Sequence, residues 1–404
     1  MARKKRTDHK GYVLRVGEYQ DKSGRYSFKY TQNGKRYTVY GLTLKELREK
    51  EKQIEKDLED GIDNSRRNIT LNQLFREYLE LKTDLKETTR CNYLASWNNA
   101  IRDSDIGKMK VSEIDQIRIR KFYAGLVKQG LAANTIKFYH SLICPVLELA
   151  VDSNMIRKNP AKDARKGIGG TKREKTSITI SQQEKLLDFL KSSSQYCVYH
   201  PLMIFALSTA LRVGELTGLR WSDADLKENI IHIRQQLIYR NLGDGCRFHV
   251  QNLKTEAGRR NIPLTASARK SLIKQKELSL VLGTKQRKEI DGVTDFVFLN
   301  SLGNPYAANA VNFMLKNVID AYNRAEREVA AREDREPEPL PHISAHILRH
   351  TACTRLAESG IDPKTLQYIM GHSSIAVTMN IYNHVDTIRV KNEMEKAEDV
   401  IKYG

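Results

Sequence analysis

At 404 residues, with 68 Lys and Arg against 49 Asp and Glu, the chain is long enough for two to three domains and carries a formal charge of +19. That excess calls for a polyanionic partner. Nucleic acid comes before a membrane surface, because there is neither a run of about 18 apolar residues nor an apolar signal core after "MARKKRTDHK". Cys91, Cys144, Cys197, Cys246 and Cys353 are widely spaced, without a C-x-x-C pair or a Cys/His cluster, which fits a reduced cytoplasmic setting. The sequence contains no P-loop, dinucleotide fingerprint, H-E-x-x-H, EF-hand loop or G-x-S-x-G, so it advertises neither an ATP site nor a familiar metal site.

From the N-terminus, "YVLRV", "GRYSFKY" and "KRYTVY" read as a three-stranded sheet. Tyr26, Phe28 and Tyr30 alternate with Ser27 and Lys29, and Asn33-Gly34 marks a hairpin. Leu44, Leu47, Ile54 and Leu58 then recur at helical spacing up to Gly61, giving one helix to cover one face of the sheet. The open face is either a solubilising surface or a ribbon for a DNA major groove, with Lys29, Lys35 and Arg36 as candidate contacts. This domain spans 1–67. Residues 68–163 form a helical domain: Thr70 and Gln73 make a capping-box pattern, and a long helix after Asn134 is interrupted only by Pro145. Its charges read as solvated surface.

"ARKGIGGTKREKTS", 164–177, is a linker whose three glycines confer flexibility and whose basic residues, Lys172 and Arg173 among them, suit a phosphate backbone. The next domain, 178–385, alternates helices with a few strands. "PLMIFALSTALRVGELTGLRW" reads as helical, and "NIIHIRQQL", "FHVQNL" and "RRNIPL" as one small antiparallel sheet. In "SAHILRHTACTRL", Ser344 is an N-cap that sets His346 and Arg349 on one face. Asp362 caps, Pro363 starts and Gly371 stops the following helix, delivering His372 into a turn; ten residues later stands Tyr382. Two readings of this cluster compete: a phosphate cradle, or a metal site of His346 and His350 with His372 or His384. Against the second, no acidic base separates the first two histidines, and Arg349 is a poor neighbour for a divalent cation. In 386–404, Val390, Met394, Ala397 and Ile401 recur as a tail helix.

"HILRH", "GH" with a tyrosine ten residues on, and "ALRVGEL" upstream together resemble the signature of the tyrosine recombinase (phage integrase) family. The domain order is similar to integrases of conjugative transposons. The likeness spans almost the full chain and is strongest from Thr209 to Val385. It implies a multidomain, mainly α fold with small β-sheets: an N-terminal three-stranded sheet plus helix that binds arm-type DNA sites, a helical core-binding domain, and a mixed α+β catalytic domain. It also implies a site-specific recombinase that excises and integrates a mobile element through a 3′-phosphotyrosine intermediate, without metal, ATP or other cofactor.

Carried over by position, the resemblance makes Arg212 and Arg349 the catalytic arginines, Glu215 the carboxylate beside Arg212, and Tyr382 the nucleophile. Lys254 falls where the family keeps a mobile lysine that protonates the departing 5′ oxygen. It is the only lysine between Lys227 and Lys270, on a strand or in a turn. His346 becomes the base and His372 a phosphate ligand, while His350 reads as structural and Glu215 retains the alternative of an ordinary helix charge. The implied partners are double-stranded DNA at crossover and arm sites, a homotetramer formed through the tail, and an excision or host DNA-bending factor, with no membrane. The tail's other reading is a helix covering its own domain. Rival functions are a non-catalytic DNA-binding regulator and a chromosome-dimer resolvase of the same family, the latter generally lacking the N-terminal sheet.

Overall fold

The computed structural model describes residues 6–382 apart from 33, 64–65, 67, 170–176 and 254, and the chain divides into two units between Arg173 and Glu174. Lys172, Arg173, Lys254 and the tail helix therefore lie outside the described residues.

In the first unit, β1 (Glu18–Gln20), β2 (Tyr26–Gln32) and β3 (Lys35–Gly41) form an antiparallel sheet in sequence order. Thr43 caps α1 (Leu44–Glu59), whose Leu47 is buried with Tyr26 and Phe28 on one face of the sheet. The expected first strand is displaced. Asp8 Oδ1 accepts from the N–H groups of Lys10 and Tyr12 and Val13 bridges back to Thr7, so "YVLRV" belongs to a turn and the ladder starts at Glu18. The uncovered face pairs Ser27 with Tyr40, Lys29 with Thr38 and Thr31 with Arg36. Lys35 pairs with Gln32 in the register of the covered face, so it parts from Lys29 and Arg36.

The junction of sheet and helix buries two carboxylates. Glu18 is gripped by Arg48 at 2.9 and 3.1 Å and accepts from Arg15 N–H. Glu51 has an oxygen without a hydrogen-bond donor among the described residues, 3.6 Å from Arg15. Burial, followed by the Glu18 charge, pushes Glu51 up to about 7.

The helical part of this unit comprises α2 (Leu71–Leu81), α3 (Glu87–Ala100), α4 (Asp105–Lys108), α5 (Gln116–Lys128) and α6 (Ala133–Asp152). The Thr70–Gln73 capping box forms as its sequence requires, and Phe75 stacks on Trp97 with ring centroids 3.8 Å apart. Pro145 does not interrupt α6. Tyr139, Leu142, Ile143, Val146, Leu147 and Ala150 are buried on both sides of it, and this packing outweighs the lost backbone bond.

The second unit runs α7 (Ile180–Ser192), α8 (His200–Thr209), α9 (Val213–Thr217), β4 (Ala224–Asp225), β5 (Ile230–Ile233), β6 (Gln235–Asn241), β7 (Cys246–Asn252), β8 (Arg260–Pro263) and α10 (Ala266–Val281). It continues with α11 (Ala308–Arg332), α12 (Ala345–Glu358), α13 (Pro363–Met370) and α14 (Ile375–Tyr382). Leu202, Met203 and Phe205 of α8 are buried in one core with Leu272, Phe298 and Leu348.

Two expectations are corrected here. The single helix through "ALRVGEL" is broken at Ala210, which takes a left-handed φ of 52° between α8 and α9. The single small sheet is two structures: β4-β5-β8 forms a sheet, while β6 and β7 form a separate hairpin. The hairpin lies on α9 because Gly214 and Gly218 admit its backbone. A Cβ at these glycines would stand 3.1 Å from Leu237 O and 2.8 Å from Leu237 N.

Glu51 yields a pH prediction. Its folded pKa exceeds the unfolded value, so the penalty for burying it is absent in acid, grows from about pH 4.5 and is complete above about pH 7. Glu51→Gln should slow hydrogen exchange of the β2–β3 amides relative to wild type above pH 7, with the difference vanishing near pH 4.5.

Candidate active site

The break at Ala210 is what builds the site. The turn frees the Ala210 carbonyl, which accepts from Arg349 Nη1 at 2.6 Å, and places Arg212 as the N-cap of α9. Arg212 N–H donates to Glu215 Oε2 at 3.0 Å, and its guanidinium donates to Glu215 Oε1 at 2.8 Å and to the Gly371 carbonyl at 2.7 Å. Glu215 is therefore no ordinary helix charge: it is 2% exposed and holds a second arginine, Arg260 of β8, at 2.9 and 3.2 Å. Burial acts to raise the carboxyl pKa. The hydrogen bonds from Arg260, with the charges of Arg260 and Arg212, outweigh that and hold it below the usual range.

Arg349 lies one turn into α12, behind the Ser344 cap, which accepts from Ile347 N–H. It is buried, donates to the Met370 carbonyl at 2.6 Å, and stands 4.0 Å from Glu215. Burial, then the charge of Arg212, pushes it down to about 10, so it keeps its proton at neutral pH.

Gly371 ends α13 with a left-handed φ of 59°, which turns the chain and delivers His372 to Arg349 Nη2 at 3.2 Å. The arginine donor makes His372 Nε2 an acceptor, leaving Nδ1 to donate to Thr378 Oγ1 at 3.0 Å. Burial, with Arg349, Arg212 and Arg260 nearby, pushes this histidine down to about 4. Both ring nitrogens are so occupied, in the company of three guanidinium groups.

The structure thus brings Arg212, Glu215, Arg349 and His372 together. His346 is exposed on the first turn of α12, and His350 lies half-buried beside Thr354. Position 254 falls between the end of β7 and the turn at Glu256–Gly258, outside the described residues. Tyr382 closes α14, and its ring packs with Ala352, Cys353, Leu366 and Met370. Its hydroxyl donates to the Ile361 carbonyl at 2.5 Å. Sequence reasoning missed Arg260. The available signal was an arginine in a short strand pattern, "RRNIPL", where one of two adjacent basic residues had to point inward.

Three guanidiniums against one carboxylate leave two positive charges over Glu215, a fixed field for an anion such as a phosphodiester.

The model of the phage integrase family matches residues 176–389, that of the DNA binding domain of tn916 integrase residues 2–58, and that of the phage integrase N-terminal SAM-like domain residues 70–127. The chain is 32% identical to the transposase from transposon Tn1545 of Streptococcus agalactiae over 97% of this chain and 96% of that one. The same figures hold for the transposase from transposon Tn916 of Enterococcus faecalis. Among solved structures, the Tn1549 transposon integrase in complex with a circular intermediate DNA has a TM-score of 0.72 at 26% identity, covering 81% of this chain and 99% of that one. A lambda integrase tetramer bound to a Holliday junction shares the fold, with a TM-score of 0.55 at 20% identity over 90% of this chain and 94% of that one.

The depressed His372 fixes a measurable sign. An unfolded histidine takes up a proton near pH 6.5, whereas the folded one resists it down to about pH 4. This group's contribution to stability is therefore full above pH 6.5 and is lost as pH falls toward 4. An NMR titration of the ring should show a midpoint near 4, and His372→Gln should lose less melting temperature than wild type between pH 7 and 4.5.

Proposed function

The chain belongs to the phage integrase family of tyrosine recombinases, as a site-specific integrase of the conjugative-transposon kind, and we propose that Tyr382 is the nucleophile with which it cuts and rejoins DNA. The observation that carries this reading is the Arg212–Glu215–Arg349–His372 cluster. In it two planar forks are anchored on backbone carbonyls and a buried carboxylate, while the side chain of Arg212 remains 41% exposed.

In the reaction, the Tyr382 oxygen attacks the scissile phosphorus in line and the bond from phosphorus to the 5′ oxygen breaks. The strand is left as a 3′-phosphotyrosine with a free 5′ hydroxyl. Attack by a 5′ hydroxyl reverses the step, conserving the phosphodiester free energy in the protein–DNA bond. Charge builds on the equatorial oxygens, where Arg212 and Arg349 supply donors that need no rearrangement. A phenol of ordinary pKa near 10 needs a base, and His346, exposed one turn before Arg349, is the candidate. Lys254 protonates the leaving oxygen. His372 becomes a donor to the phosphate once the bound anion offsets the burial and the three arginines that keep its ring neutral. Before attack, Tyr382 must give up the Ile361 carbonyl.

DNA binding is distributed. The N-terminal sheet offers Lys29 and Arg36 on its open face, where Arg6 and Lys29 lie over the Tyr19 ring and Arg25 over Tyr40, a basic and aromatic surface for arm-type sites. Lys172 and Arg173 of the linker are assigned to the DNA backbone, and Lys35 at the hairpin tip meets phosphate. The assigned limits are 1–67, 68–163, a linker at 164–177, 178–385 and a tail at 386–404 that joins four protomers on DNA. A host or excision factor bends that DNA. The enzyme works in the cytoplasm, and among the described residues no helix is long and apolar enough to cross a membrane.

The decisive experiment uses a nicked suicide substrate. Tyr382→Phe should bind DNA normally and form no covalent adduct, and an adduct formed by this variant would exclude Tyr382. Arg212→Lys keeps the charge but loses the fork. Its cleavage rate at saturating DNA should fall by about 10²- to 10³-fold.

A further inference from the structure

Arg260 is the largest fully buried side chain among the described residues, with 0% of it accessible. Burying a guanidinium costs several kcal/mol unless its donors are satisfied, and an apolar residue often serves stability as well. What the charge adds is direction. Nη2 and Nη1 hold the two Glu215 oxygens at 2.9 and 3.2 Å, Nη1 also holds the Gly258 carbonyl at 2.8 Å, and Nε holds the Ile369 carbonyl at 2.7 Å.

Each partner leads to a group with a proposed role in cleavage. Glu215 carries Arg212 through both its oxygens. Ile369 precedes Met370 and Gly371, whose carbonyls take Arg349 and Arg212, and then His372. Gly258 ends the short turn that follows Lys254. The fit is close: a Cβ on Gly371 would lie 2.9 Å from Arg260 Nη1. A second tie, from Asn261 N–H to the Tyr368 hydroxyl at 3.0 Å, fastens the same strand to α13.

We propose that Arg260 is a positioning residue for strand cleavage: it fixes the Glu215 carboxylate in the orientation that presents Arg212 to the scissile phosphate, and registers the turn after Lys254 and the turn before His372 on the same point. It touches no substrate itself. The proposal rests on the reading of Arg212 as a phosphate ligand. A lysine would keep the charge but could not hold a carboxylate fork and two carbonyls at once.

The test compares wild type, Arg260→Lys and Arg260→Gln on two suicide substrates, one with an ordinary scissile phosphodiester and one with a neutral methylphosphonate there. A neutral centre depends less on a correctly aimed fork, and the ratio of the two rates is independent of the folded fraction. Arg260→Lys should form adduct on the phosphodiester about tenfold or more slowly than wild type at saturating DNA, with DNA affinity within about twofold. On the methylphosphonate that deficit should shrink by about threefold or more, as for Arg212→Lys. Combining Arg212→Lys with Arg260→Lys should lose little beyond Arg212→Lys alone. An equal deficit on both substrates, multiplicative losses in the double variant, no deficit, or failure of both Arg260 variants to fold would overturn the proposal while leaving Tyr382 as nucleophile. Absence of adduct with wild-type enzyme would overturn the recombinase reading and this proposal with it.

Discussion

A single buried carboxylate organises the second unit. Glu215 sits between Arg212 and Arg260, 4.0 Å from Arg349, and each of those arginines reaches onward to a backbone carbonyl outside its own segment. Removing a partner from such a buried pair generally costs about 3–5 kcal/mol, because the charge left behind has no water to turn to. The same desolvation that makes the arrangement costly makes it directional: in a dry setting, charge-assisted bonds hold the forks at fixed angles. The helix break at Ala210 and the left-handed Gly371 bring Arg212 and the carbonyls that hold it and Arg349 to this carboxylate.

The arginine cluster and the proposed nucleophile are held by different means. Arg212 and Arg349 are fixed at several points each, so on the proposed function little reorganisation remains when charge builds on a bound phosphate. Tyr382 closes the last described helix and rests its hydroxyl on a main-chain oxygen at the entry to α13. A phenol in that bond is a poor nucleophile.

The first unit follows another logic. Its charge is dispersed, and its sheet turns one face to α1 while the other presents Lys29, Arg36 and tyrosines overlaid by arginine and lysine. On the proposed function such a surface binds DNA through many weak, salt-sensitive contacts, whereas the second unit concentrates a few strong ones.

What the sequence determined alone was whatever acts within a turn or two of helix or across a tight hairpin. The Thr70–Gln73 capping box, the Asp362-Pro363 start and Gly371 stop of α13, the alternation of Tyr26, Phe28 and Tyr30, and the spacing of His346, Arg349, His372 and Tyr382 all depend on neighbours close in the chain. Only the tertiary structure could decide the break at Ala210, whose carbonyl answers an arginine 139 residues away. The same holds for the continuity of α6 through Pro145 and for the separation of β6–β7 from β5–β8. It holds also for the inward turn of Arg260 and the bond from Tyr382 to Ile361. In each of these a local preference of about 1–3 kcal/mol is overruled by packing or by a buried charge, and such forces come from residues that the chain brings together only when it folds.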